Sequence, residues 1–192
     1  AHGLDVTTEA YPYIAGMTDL RSALFNPGWR EKLGVGYDAV QIPDTGEKLR
    51  EERFNELRHA KEPVNVLLFV NRPETVDAVI RDPLVMVASD GGGLHPRSVG
   101  TFARILGHYV RDTGQLTLMD ALRKMTLMPA QRLEKATPAA RRKGRLQVGA
   151  DADIVIFDAQ TVADRATYTQ PTKTSVGMQY VLVGGTVLVD GG

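Results

Sequence analysis

Val85-Met86-Val87-Ala88-Ser89-Asp90-Gly91-Gly92-Gly93 is the stretch on which the reading of this chain turns. Four apolar residues run without a polar break and end on a serine, an acid and three glycines. A continuous apolar run of strand length is buried on both faces, as in a parallel sheet covered by helices. An acid just beyond such a strand stands where barrel enzymes place catalytic groups. The glycines let the backbone turn sharply and approach a ligand closely. Asp before Gly is also frequent in ordinary turns, so these local features leave Asp90 open between a turn acid and a catalytic one.

Working outward, Pro73 opens a helix that carries Val76, Val79 and Ile80 on one face and stops at Asp82-Pro83. Residues 65–70 read as another buried strand, so strands and helices alternate as in a helix-covered parallel sheet. Residues 4–13 read as a short strand. Between them, 14–63 is broken by Gly16, Gly28, Gly34, Gly36, Pro27 and Pro43. Its second part is densely charged around Leu49, Phe54 and Leu57, which suits a solvated helix. This block reads as an excursion from a larger scaffold. Downstream of the glycines, Val99, Phe102, Leu106 and Tyr109-Val110 fall near helical spacing. Thr117 with Asp120 forms a capping box ahead of Leu118, Leu122 and Met125, and Pro129 suits a first helical position. From Gly144 the period shortens. Residues 145–148, 154–157, 180–183 and 186–189 read as strands, the last two joined by the hairpin signal Gly184-Gly185.

Composition narrows the function classes. Lysine plus arginine and aspartate plus glutamate are 23 each in 192 residues, a net charge of zero. A nucleic-acid or anionic-membrane partner would need a basic excess, so neither is expected. Cysteine is absent, which excludes disulfides and thiolate metal sites within the chain and suits a cytoplasmic protein. No run reaches the roughly 18 apolar residues of a spanning helix. Of the four histidines, His2, His59, His95 and His108, no two stand at i,i+2 or i,i+4, so the chain offers no histidine metal pair. The text opens without Met and in mid-pattern, and we expect a fragment.

The segment Val87-Ala88-Ser89-Asp90-Gly91, with His95-Pro96-Arg97, Gly100-Thr101-Phe102 and Leu106-Gly107-His108-Tyr109-Val110-Arg111, resembles the D-aminoacylase family of N-acyl-D-amino-acid deacylases, in the amidohydrolase superfamily. Tyr11-Pro12-Tyr13, Gly149-Ala150-Asp151-Ala152-Asp153-Ile154-Val155 and Val162-Ala163-Asp164-Arg165-Ala166-Thr167 match as well. The resemblance implies an α/β fold: the C-terminal part of a (β/α)8 metal-dependent hydrolase barrel plus strands of a small β-sandwich domain. On that reading residues 1–143 are barrel, with an insertion at about 14–63, and residues 144–192 are sandwich strands. It further implies a catalytic role for Asp90 and a substrate-carboxylate site at Arg97 and Tyr11. Separately, the nearness of His95 to Asp90 in the sequence makes it a candidate to line the substrate pocket. No metal ligand falls within this chain; the family's zinc would be held by the missing N-terminal portion, which becomes the expected partner besides a small-molecule substrate. The fragment alone is then expected to be inactive and prone to aggregate, since a quarter barrel leaves strand edges unpaired. Two departures stand out: Asp90 and Arg97 are only seven positions apart, closer than in the family, and Met17 stands where the family often has serine. Two other functions fit the sequence: hydrolysis of a cyclic amide, as in dihydroorotase or hydantoinase relatives, and a non-catalytic module that keeps the fold.

Overall fold

The computed structural model describes residues 3–191, so His2 lies outside the described residues. Its frame is one parallel strand pair. β1 (Thr8–Ala10) lies beside β5 (Val85–Val87), with Thr8 opposite Val85 and Ala10 opposite Val87. All three β5 residues are buried, as an uninterrupted apolar run demands. The two strands point the same way, so Tyr11 and Asp90 leave the sheet at the same end.

Between these strands the chain makes its excursion. β2 (Ala15–Asp19), β3 (Val40–Gln41) and β4 (Asn65–Phe69) form an antiparallel sheet in the order β2-β4-β3. The strand expected at 65–70 is therefore present but not in the parallel sheet. It pairs with β2 along its whole length, Ala15 opposite Phe69 and Asp19 opposite Asn65. Central position in that sheet, not membership of a parallel one, makes it continuously apolar. The short helices α1 (Trp29–Leu33) and α2 (Glu51–Arg58) close over it. Phe25, Trp29 and Phe54 pack ring on ring with Leu20, Val40, Leu49, Val66 and Leu68 in a core of their own. α2 is charged outward and sinks only Phe54 fully.

α3 (Pro73–Arg81) starts at its proline and buries Ile80. At the start of β5 the buried Lys124 donates to the carbonyls of Asp82 and Val85, the latter at 2.9 Å. Beyond the glycine loop, α4 (Arg97–Arg104) passes without a break into a π-helical stretch, Ile105–Asp112. The expected stripe holds only in part. Leu106 and Tyr109 are buried, but Val99 and Phe102 are exposed, while Gly100, Thr101 and Ala103 face inward. The change from i−4 to i−5 hydrogen bonding shifts the phase that a single helical period assumes. α5 (Leu118–Met125) is capped by Thr117, whose Oγ1 accepts the Asp120 N–H at 3.1 Å. α6 (Leu127–Leu133) begins two residues before Pro129.

The tail forms a third sheet, β6 (Ile154–Phe157), β7 (Met178–Val183) and β8 (Thr186–Asp190), in that order and antiparallel. Gly184 and Gly185 both take positive φ, 56° and 83°, as a tight primed hairpin turn requires. The strand expected at 145–148 does not form. Val148 and Leu146 are exposed and the segment is a turn. Among the described residues no helix is long and apolar enough to cross a membrane.

Candidate active site at the end of the parallel pair

Asp90 sits three residues past β5 with φ at +45°, in the left-handed region that Asp visits more readily than most non-glycine residues. Arg97 holds it there at two points. Its Nε donates to the Asp90 carbonyl at 2.8 Å, and its Nη2 lies 2.8 Å from the Asp90 carboxylate. The arginine side chain is 6% exposed and the aspartate side chain 65%. A buried cation thus anchors an open carboxylate. The guanidinium lies over the Tyr11 ring, 4.4 Å from its centre, a cation–π stack that fixes its plane. The loop between is tied down: Ser98 Oγ accepts the Gly92 N–H at 3.0 Å and donates to the Gly92 carbonyl. At Gly93, with φ +57°, a side chain would run into the end of Met17, so the insertion's first strand touches the glycine loop.

His95 is fully buried. Its Nδ1 accepts the Arg97 N–H at 3.0 Å and its Nε2 pairs with the Ala15 carbonyl at 2.9 Å. This leaves the ring neutral with its proton on Nε2. Burial pushes its pKa down to about 4; the Arg97 charge adds to that, and the Ala15 bond and the Asp90 charge oppose it. With both nitrogens engaged inside the chain, His95 keeps no polar atom free for the direct substrate contact that the sequence suggested.

The sequence reading missed what holds this corner from behind. Tyr168, in the tail, packs its ring edge-on to His95, Tyr13 and Phe69, and its hydroxyl accepts the Ala15 N–H at 3.3 Å. Tyr13 donates to Asp164 at 3.2 Å, and Arg104 bridges Asp164 and the Pro12 carbonyl. Burial first, and then the Asp164 charge, push the Tyr13 hydroxyl well above the ordinary phenol range. Gly100 leaves room for the Tyr13 hydroxyl, and Gly107 lets Val162 come close. The only hint in the sequence was that Tyr168 is the sole aromatic residue between Phe157 and Tyr180.

The remaining histidines lie elsewhere. His59 ends α2 on the surface, with Nδ1 2.7 Å from the Asn55 carbonyl. His108 stacks edge-on to Tyr109. Among the described residues no group of three or more His, Cys, Asp or Glu side chains can hold a metal ion. Asp90 is a lone carboxylate at this mouth, so these residues do not by themselves make a metal site.

The parallel strand pair thus ends in an open carboxylate anchored by a buried arginine, at the carboxyl end of the strands. The chain belongs to the amidohydrolase family: that family's model matches residues 24–189. A D-aminoacylase of Alcaligenes xylosoxydans xylosoxydans is 34% identical over 94% of this chain and 38% of its own length. An N-acyl-D-glutamate deacylase of the same organism is 43% identical over 64% of this chain and 25% of its own. The solved N-acyl-D-glutamate deacylase of Bordetella bronchiseptica, complexed with zinc and a phosphonate mimic of the tetrahedral intermediate, is 33% identical with a TM-score of 0.76, covering 97% of this chain and 40% of that one. A solved D-aminoacylase gives 31% identity and a TM-score of 0.80 over 98% and 40%. The fold is the α/β amidohydrolase fold, and the chain spans about two fifths of these solved relatives.

Proposed function

We propose that this chain is the C-terminal portion of a zinc-dependent hydrolase that removes the acyl group from an N-acyl-D-amino acid. On this reading β1 and β5 are the last two strands of a (β/α)8 barrel. Residues 14–63, carried on to Phe69 by the β2–β4 pairing, are an insertion, and β6, β7 and β8 belong to a small β-sandwich. The observation that carries it is Asp90, open to solvent at the carboxyl end of β5 and anchored by a buried arginine.

Zinc would be held by residues outside this chain and, when bound, makes a water nucleophilic at neutral pH. What this chain contributes is proton handling and orientation. Asp90 accepts the proton released as water adds to the amide carbonyl. It then delivers that proton to the nitrogen, which must be protonated before it leaves as an amine. Arg97 presents a planar guanidinium, the geometry that suits a substrate carboxylate, and the Tyr11 hydroxyl adds a donor beside it. Two negatively charged groups, Asp90 and the substrate carboxylate, thereby share one arginine. The likeness to enzymes named for N-acyl-D-glutamate, N-acyl-D-aspartate and D-amino-acid substrates supports this substrate class.

The test is hydrolysis by the zinc-loaded enzyme that contains this chain, assayed on N-acetyl-D-amino acids, their L-enantiomers and hydantoins. Turnover of the D-acids is the expected result. Turnover of hydantoins alone overturns the proposal in favour of a cyclic-amide hydrolase, and turnover of nothing favours a non-catalytic module.

A further inference from the structure

We propose that His95 is a positioning residue for carboxylate recognition: a two-ended strut that fixes Arg97 against Ala15, and so couples the insertion to the substrate-binding corner. The inference rests on the deacylase reading above and adds a residue that acts through another.

The first leg of the argument is an orphan donor. Arg97 is the first residue of α4, and the N–H groups of a helix's first turn lack partners within the helix. The residue ahead of it is Pro96, which has no side chain able to cap. His95 fills the gap from one position further back, its Nδ1 taking the Arg97 N–H at 3.0 Å. The backbone that carries the guanidinium is therefore set by the imidazole.

The second leg is the other nitrogen. Nε2 reaches 80 residues back along the chain to the Ala15 carbonyl at 2.9 Å. Ala15 is fully buried and opens β2, and its N–H is gripped from the opposite side by the Tyr168 hydroxyl at 3.3 Å. One residue of the insertion is thus tied to both the catalytic loop and the tail.

The third leg is confinement. The ring edges of Tyr11, Tyr13 and Tyr168 stand around His95 at centroid distances of 5.9, 5.6 and 5.5 Å. The imidazole cannot rotate without displacing one of them. Tyr11 is also the ring on which Arg97 stacks, so one tyrosine touches both members. A buried polar group that is fully satisfied specifies a single arrangement, which is what a carboxylate clamp needs to keep its donors at fixed range.

The experiment uses the zinc-loaded enzyme containing this chain, with two substrates: an N-acetyl-D-amino acid and the matching N-acetyl amine that lacks the carboxylate. The quantity read is the preference, the ratio of their kcat/KM values. His95→Asn keeps an acceptor where Nδ1 stands, His95→Gln keeps a group only at the Nε2 end, and His95→Phe keeps neither. Expected is a preference cut at least tenfold in His95→Phe and at least threefold both in His95→Asn, which loses the Ala15 end, and in His95→Gln, which loses the Arg97 end, with the loss concentrated in KM for the acid. If His95→Phe does not fold, the Asn and Gln variants decide by themselves. Equal losses on both substrates in these variants mean that His95 only supports the fold, and overturn the proposal. An unchanged preference in either the Asn or the Gln variant does the same. Failure of the unsubstituted enzyme to cleave either substrate overturns the deacylase reading itself, and this inference with it.

Discussion

Arg97 holds Asp90 at two points, through the backbone carbonyl and through the carboxylate, each at 2.8 Å. The first contact keeps the residue in its left-handed conformation. The second sets the resting direction of the acid. The arginine is buried and the carboxylate open. On the proposed reading, acid and substrate anchor are built on this single cation.

Replacing Asp90 with Asn in the zinc-loaded enzyme removes the proton acceptor while keeping the shape and the carbonyl contact. We expect kcat to fall on the order of 10²- to 10⁴-fold with KM nearly unchanged. Steady-state kinetics on an N-acetyl-D-amino acid decide it, and undiminished turnover would sink the role assigned to this carboxylate.

Arg97→Lys keeps the charge but cannot reach both points of Asp90 with the geometry of a planar fork. We expect KM for the acid substrate to rise at least tenfold. The Asp90 carbonyl loses its charged donor, and the loss of that hydrogen bond, roughly 1.5–3 kcal/mol, lowers stability. Kinetics paired with a denaturant titration read both effects, and a variant with wild-type KM contradicts the clamp.

The buried His95 ring makes stability depend on pH in a definite direction. Its folded pKa is lowered to about 4 from the ordinary 6.5, so between these values the unfolded chain binds more protons than the folded one. The contribution is complete above about pH 6.5 and is lost as the pH falls from there through about 4. At about 1.4 kcal/mol per pH unit the gap amounts to on the order of 3 kcal/mol. Denaturant unfolding at pH 7 and pH 4.5 should show a larger acid loss in wild type than in His95→Asn. Equal losses would mean that the ring is not held neutral.

Residues 1–192 expressed alone are expected to associate. Leu146, Val148, Leu188 and Met119 are 83%, 105%, 64% and 71% exposed, and β1 and β5 have no further strand neighbours among the described residues. Apolar surface and open strand edges of this kind recruit other chains. Light scattering should show growth with concentration, reversed by adding the upstream portion of the enzyme. A monomeric, concentration-independent unfolding transition would count against this expectation.

The Asp90 end of the parallel pair was legible because its signals are local. An unbroken apolar strand, an acid and a run of glycines are read within nine residues, and Pro73, Thr117 and Gly184-Gly185 mark element ends by chemistry that acts over three or four positions. Asn65–Phe69 was recognised as a strand but given the wrong neighbours, since burial on both faces looks the same in a central antiparallel strand as in a parallel one. The single stripe drawn through Val99, Phe102, Leu106 and Tyr109 failed because its first half is α-helical and its second half π-helical, with a different period. His95 was found, yet its partners are a backbone carbonyl 80 positions away and an aromatic cage assembled from three segments. Spacing carries no information about contacts of that range. Tyr168 was missed for the same reason, and Asp164, read only as part of a matching run, was given no partner.

The excursion leaves and re-enters the frame through one strand pair, Ala15 facing Phe69, and fills its interior with its own aromatic residues. Its first strand is the part that reaches the corner: Ala15 pairs with His95, and Met17 lies against the glycine loop. Changes of loop size or charge over residues 20–62 are therefore expected to leave the Asp90–Arg97 pair in place, whereas changes at Ala15 or Met17 reach it directly.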